Sequence, residues 1–407
     1  MKDVPDVIVI GGGPVGSFTA LKLAKLGAEV AVFEEHNAIG SPSHCAGHLS
    51  IRSLRNLGLY PLPREIVENT FSQANFYSPS GFKFSVHLAK PVTCSVNRAA
   101  FDRYIADKAE AAGARCCLNS RVQSLLIEDG AVKGVTVKQE DKAERFRANI
   151  VVDAEGISSR ILRQTGLAGL NGERLVYGVE AEVENVKDME PDAVEVFLGK
   201  AYAPGFYAWL MPRLDGTAKV GLATKTGNPK EFLQRLMLKH PVASKQLSKA
   251  KITRTAFHPI TLGGPISKAY TSGFLAVGDV ASQVKPTTGG GVVFGLTCAG
   301  IAAEVADEAV RRNDVSSHFL QMYQKRCADT LGFDFGVMLR IRRFLDSLSD
   351  EKIDEVLRFC ARIGLNKTLE NVEEIDFQGQ LLLKILTKPA MFAALAYFLK
   401  LYLSANP

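Results

Sequence analysis

Apolar positions fall into two rhythms along this chain, and the rhythm changes mark its organisation. Val7-Ile8-Val9-Ile10 is an unbroken β-branched run, as expected of a short parallel strand buried on both faces. Gly11-Gly-Gly-Pro-Val-Gly16 follows directly. Phe18, Leu21 and Leu26 then recur near helical spacing, and Gly27 stands where a helix C-cap belongs. A second apolar run, Val30–Phe33, ends in Glu34. The order is strand, glycine-rich turn, helix, strand, acid.

Further along, Gly40 to Pro63 reads as loop plus a short helix. Phe71 to Val86 alternates apolar and polar positions about the turn Pro79-Ser80-Gly81, which predicts a hairpin. Asn97 to Ala112 predicts a helix with Phe101, Tyr104, Ile105 and Ala109 on one face. Arg121 to Gln139 predicts a second hairpin turning at Asp129-Gly130. Leu175 to Thr226 is strand-rich, Gly273 to Asp279 is a strand ending in Gly-Asp, and the pattern from Gly295 onward is mainly helical. No internal repeat interrupts this order.

A chain of 407 residues has room for two or three domains. Its 46% hydrophobic and 23% charged residues exclude a disordered chain. A net charge of +6 is too small and scattered for a nucleic-acid partner, though it suits an anionic ligand or a membrane surface. Seven cysteines without a CxxC pair fit reduced thiols and a cytoplasmic setting. No signal peptide and no apolar run long enough to span a bilayer is expected.

The glycine triplet carries the first chemistry. Gly11 permits the tight turn, Gly13 lets backbone N–H groups approach a pyrophosphate, and Gly16 lets helix and strand pack closely. The helix N-terminus offers partial positive charge, and Glu34 stands where a carboxylate accepts from ribose hydroxyls. Triplet, helix, both strands and acid together predict a dinucleotide site.

Two later segments narrow the dinucleotide. Val151-Val-Asp-Ala-Glu-Gly156, and Gly278-Asp279 followed by Pro286-Thr-Thr-Gly-Gly290-Gly291, resemble the FAD-dependent oxidoreductases of the p-hydroxybenzoate hydroxylase-like class. That resemblance implies FAD, with Asp279 on the ribitol chain and Gly290, Gly291 and Val292 at the flavin edge and pyrophosphate. The class usually has Ala-Asp-Gly where this chain has Ala154-Glu155-Gly156, which counts against a standard NADPH dock. Ser41-Pro42, Cys45-Ala-Gly-His48, Asn97-Arg98 and Tyr207-Ala-Trp209-Leu-Met-Pro212 further resemble the geranylgeranyl reductase family, over Met1 to about Ala309. Of that family's functions, archaeal reduction of digeranylgeranylglycerophospholipids is the nearest. His44, Ala46 and His48 depart from its usual loop, where Arg and Gly are common.

The implied fold is α/β: a Rossmann-like FAD-binding domain (1–72, 92–170 and 268–325), an interleaved antiparallel β substrate domain (73–91 and 171–267) and a helical C-terminal region (326–407). The resemblance also implies FAD contacts from Arg98, the strand holding Val122, and the backbone of Val15, Ala46 and His48. It sets Cys45 near the flavin, as a group that shapes or protonates the reacting position or as a small residue lining it. Tyr207 and Trp209, i and i+2 on an expected strand, share a face and suit an aromatic wall for an isoprenoid chain. Trp209 is the only tryptophan. No metal is expected, because His44, Cys45 and His48 lack a fourth ligand.

The implied activity is saturation of geranylgeranyl C=C bonds on a prenylated glycerophospholipid by hydride from reduced flavin. The electron donor would be NAD(P)H or a small carrier such as ferredoxin. An aromatic monooxygenase on the same scaffold, and a flavin electron-transfer or lipid-binding protein without its own chemistry, are the alternatives. In the C-terminal region Met391, Leu395, Phe398, Leu399 and Tyr402 share a helical stripe, read as a buried closing helix, a prenyl tunnel wall or a peripheral membrane contact. Arg340, Arg342 and Arg343 read first as a solvated helix face and second as contacts for a lipid phosphate.

Overall fold

Four-residue β-branched runs build the centre of the first of two units into which the chain divides. This unit takes the chain up to Ser43, Arg98–Glu173 and Thr261–Phe335. The computed structural model describes residues 4–140, 142–386 and 388–405, and the side chains of these except 399, 400 and 402–405. The central sheet has six strands in the order Tyr270–Thr271, Phe274–Ala276, Ile150–Asp153, Val7–Ile10, Val30–Phe33, Arg115–Cys117. All neighbours are parallel except the first pair. The three middle strands are buried along their whole length, so each Val and Ile side chain contributes about 1.5–3 kcal/mol. Helix Pro14–Lys25 packs between Arg98–Ala111 and Val292–Arg312.

The expected hairpin about Asp129-Gly130 is present: Ser120–Glu128 pairs antiparallel with Ala131–Gln139, and Asp129 and Gly130 both have positive φ. It belongs to a three-stranded sheet completed by Lys142–Arg147.

The second unit takes His44–Asn97, Arg174–Ile260 and the chain from Gly336. Its seven-stranded sheet runs Lys251–Thr261, Leu175–Glu184, Ala218–Thr224, Ala208–Pro212, Ala193–Phe197, Gln73–Tyr77, Lys83–His87. The last two strands are the expected hairpin at Pro79-Ser80-Gly81. One face buries Val179, Ala181, Val183, Leu210, Val220 and Leu222 under Leu233 and Leu236 of helix Pro229–Lys239. Alternation sends Glu180, Glu182, Trp209, Met211, Lys219 and Gly221 to the opposite face.

The C-terminal stripe is corrected in part. Met391 and Ala394 are buried and Phe398 packs with Phe84 and Leu357, whereas Phe392 and Leu395 are exposed. The inward face follows i, i+3, i+7 from Met391, which leaves Leu395 outside it. The side chains of Leu399 and Tyr402 lie outside the described residues.

Candidate active site

In the first unit the glycine triplet forms a turn that tolerates no side chain at two of its positions. Gly11 has φ +92°, and a Cβ there would meet Ala154 O at 2.6 Å. A Cβ on Gly16 would meet Gly11 O at 1.9 Å. Gly13 differs, since a Cβ there would meet no protein atom within 4 Å. It is the N-cap of helix Pro14–Lys25, which has no side-chain cap and no acid in its first turn. Helix Val292–Arg312 begins the same way, from Gly291 without a side-chain cap and without an early acid. Two uncapped helix starts with a side-chain-free approach fit a pyrophosphate and a flavin edge.

Glu34 ends its strand buried, its Oε2 accepting from Gly12 N at 2.7 Å and its Oε1 from His36 N at 2.9 Å. Asp279 is half-buried, and burial lifts its carboxyl above the usual range against the opposing pull of Arg98. Arg98 grips Asp102 through Nε–Oδ1 (3.1 Å) and Nη2–Oδ2 (3.0 Å). A Cβ on Gly291 would stand 2.6 Å from Asp279 Oδ1, and one on Gly290 would stand 2.7 Å from Lys285 Cε. The Val15 side chain wedges between Gly278 and Gly295, so the triplet turn and the Gly-Asp turn pack together. Val122 is buried in the hairpin and pairs with Val137. The donor set and the cradle therefore fit FAD.

Glu155 turns back on its own loop. Its Oε1 accepts from the N–H of Ile161 (2.7 Å) and Leu162 (3.2 Å), and its Oε2 from Ser158 Oγ (2.8 Å). Neighbouring Asp153 is fully buried and raised well above the ordinary carboxylate range, mainly by burial and then by Glu155, and its Oδ2 has no partner.

The second unit holds Cys45, Ala46, His48, Tyr207 and Trp209. Cys45 is exposed, beside His44, whose ring stacks on His258 at 5.5 Å. Ala46 O accepts from Lys219 Nζ at 3.1 Å, and His48 Nε2 lies 2.8 Å from Thr93 Oγ1. Tyr207 immediately precedes strand Ala208–Pro212, and the ladder reaches it because its carbonyl accepts from Ala223 N at 3.4 Å. The rings of Tyr207 and Trp209 meet edge to face at 5.9 Å. Trp209 packs with Ala46, Phe71, Val194, Val196 and Met211, an apolar setting for an aromatic wall.

Arg342 departs from the expected solvated face. It is 7% exposed, pairs with Asp346 at 2.7 Å and pulls down the Tyr207 phenol pKa that burial raises. Its offset of two residues from Arg340 and one from Arg343, both exposed, turns it inward. Sequence reading also missed a buried ion cluster. Lys219 Nζ lies 2.7 Å from Glu68 Oε2, and Arg213 bridges Glu68 (2.7 Å) and Glu182 (3.1 Å). A lysine inside the wholly buried strand Ala218–Thr224 was the available signal.

Residues 5–327 match the family model described as FAD binding domain. The chain is 31% identical to digeranylgeranylglycerophospholipid reductase 2 of Methanopyrus kandleri, over 97% of this chain and 99% of that one. It is 34% identical to digeranylgeranylglycerophospholipid reductase 2 of Methanothermobacter thermautotrophicus, over 87% and 91%. Its fold superposes with TM-score 0.86, at 26% identity and over 97% and 99% of the two chains, on a geranylgeranyl bacteriochlorophyll reductase-like protein from Thermoplasma acidophilum. The chain belongs to the FAD binding domain family and, within it, to the digeranylgeranylglycerophospholipid reductases, as an FAD-dependent oxidoreductase.

Proposed function

We propose that this protein saturates C=C bonds in the geranylgeranyl chains of a glycerol ether phospholipid. The observation that carries the reading is the match, along nearly its whole length, to reductases named for that substrate. Reduced FAD, when bound, supplies hydride to one carbon of a double bond, and the adjacent carbon takes a proton. Gly11, Gly13, Val15, Gly16, Glu34, Arg98, Val122, Asp279, Gly290, Gly291 and Val292 are the proposed FAD contacts of the first unit. Cys45, Ala46 and His48 are proposed as further contacts, with Cys45 shaping or protonating the reacting position. Tyr207 and Trp209 are proposed as the wall for the prenyl chain, a role their apolar neighbours suit.

The reducing equivalents would come from NAD(P)H or a small carrier such as ferredoxin. Exposed Leu383, Phe392 and Leu395 near the C-terminus support a peripheral contact with a lipid surface, and among the described residues no helix is long and apolar enough to cross a membrane. The test is to reduce the purified protein anaerobically, add geranylgeranyl lipids of several headgroups and weigh the products. Lipids heavier by whole hydrogen pairs are expected. Unchanged lipids, with oxygen uptake on a phenol, would overturn the reading.

A further inference from the structure

The face of the seven-stranded sheet that carries Trp209 also carries a carboxyl group that the proposed reaction does not use. Strand register aligns Glu180 with Gly221 and Gly221 with Trp209, so the three form one row across three strands. Gly221 is the gap in that row. A Cβ there would meet Trp209 Cζ2 at 2.4 Å and Cε2 at 2.7 Å, so the indole occupies the space above the glycine. Across this gap the indole comes close enough to Glu180 for its N–H to favour the ionised carboxyl. Trp209 Nε1 and Glu180 Oε2 are both buried, and neither has an aligned partner. A buried donor and a buried acceptor left open beside one another are costly unless they meet.

We propose that Glu180 is the positioning residue of Trp209: it faces the indole N–H across Gly221, and its carboxyl holds the ring in place on this face. The inference rests on the reading of Trp209 as the wall for a prenyl chain only for its consequence in catalysis. The positioning itself is a property of the protein without substrate.

The surroundings of Glu180 make this hold depend on pH. Lys219 faces it from the adjacent strand, Glu182 from its own strand and Glu68 from strand Val67–Phe71. On the flanking strand Lys251–Thr261, Arg254 lies 3.4 Å from Glu182, and the His258 carbonyl covers Gly178. Glu182 is held further by Arg213, and Glu68 by Arg213 and Lys219. Lys219, Arg213 and Arg254 thus make their ion pairs with Glu68 and Glu182, and none of these pairs includes Glu180. Burial chiefly lifts its pKa to about 7, so its charge changes near neutral pH.

Because Trp209 is the only tryptophan, its indole N–H gives a single resonance in holoprotein labelled with 15N-tryptophan. The wild-type resonance is expected to shift with pH with a midpoint near 7. Glu180→Gln, nearly isosteric, should abolish that shift, and Gly221→Ala should displace the resonance at every pH. An unaltered flavin-to-protein ratio certifies that the variants fold. A wild-type resonance that does not move, or one that titrates equally in Glu180→Gln, overturns the proposal. The catalytic consequence is read separately. With geranylgeranyl lipid, Glu180→Gln should raise KM about threefold or more, with kcat less affected, because the change is in ground-state packing. A titrating resonance that is lost in Glu180→Gln, with unchanged lipid KM, supports the positioning role and overturns the prenyl-wall reading instead.

Discussion

Single glycines in the triplet turn have separable roles. A methyl group on Gly16 collides with the Gly11 carbonyl at 1.9 Å, whereas one on Gly13 enters open space, and Gly13 has an ordinary φ of −64°. Gly16→Ala must therefore displace the turn itself, at an overpacking cost of about 1–3 kcal/mol. Gly13→Ala should leave the melting temperature of the flavin-free protein unchanged and weaken FAD binding about tenfold or more, since the added methyl meets only the cofactor. Thermal melts of flavin-free protein, together with FAD titrations, check the pair. Equal loss of stability in both variants would remove Gly13 from the cofactor site. This level of detail was legible because the triplet acts through its own backbone within six consecutive residues. Glu180 and Gly221 were not legible, because only strand register brings them to Trp209.

The strand Ala218–Thr224 shows what one misplaced-looking residue does for an element. All seven positions are buried, yet Lys219 Nζ meets Glu68, Ala46 O and, at 3.5 Å, Val96 O. Those partners come from the Cys45 loop and from strands Val67–Phe71 and Thr93–Val96, so one ammonium ties three segments to the sheet. Removing one partner of a buried ion pair strands the other charge at about 3–5 kcal/mol, and the cost is smaller here because Arg213 still holds Glu68. Lys219→Met should lower the melting temperature by several degrees, and Lys219→Met with Glu68→Gln should restore part of it. Calorimetry of the two variants decides this, and a double variant no better than the single would mean that Glu68 is not the charge left stranded. Hairpins and helices were legible at this scale because their periods are local. Ion clusters assembled from four segments leave no local pattern, and Arg342 turned inward because one residue of helical rotation separates a solvated position from a buried one.

Across the whole molecule, buried carboxyls tilt stability towards acid. Glu195 is 3% exposed and accepts from Gln246 Nε2 at 2.8 Å, and burial lifts its pKa to about 7, as it does for Glu180. A raised acid pKa means that the folded state holds protons the unfolded chain has released. The contribution is therefore present below the unfolded value near 4.5 and is lost as pH rises through about 7. A shift of this size is worth about 3 kcal/mol at most for each group. His240 works the other way, because burial depresses its pKa to about 4 and the unfolded chain takes up the proton first as pH falls below 6.5. Its term is complete by pH 6.5, so a decline in stability between that pH and 8 belongs to the carboxyls. Glu195→Gln removes one of them while keeping the hydrogen-bonding shape. The variant should melt higher than wild type at pH 8 by a few degrees and equal to it near pH 4, so its melting temperature should fall less between the two. Parallel curves for the two proteins would show that Glu195 is ionised throughout and that burial does not hold its proton.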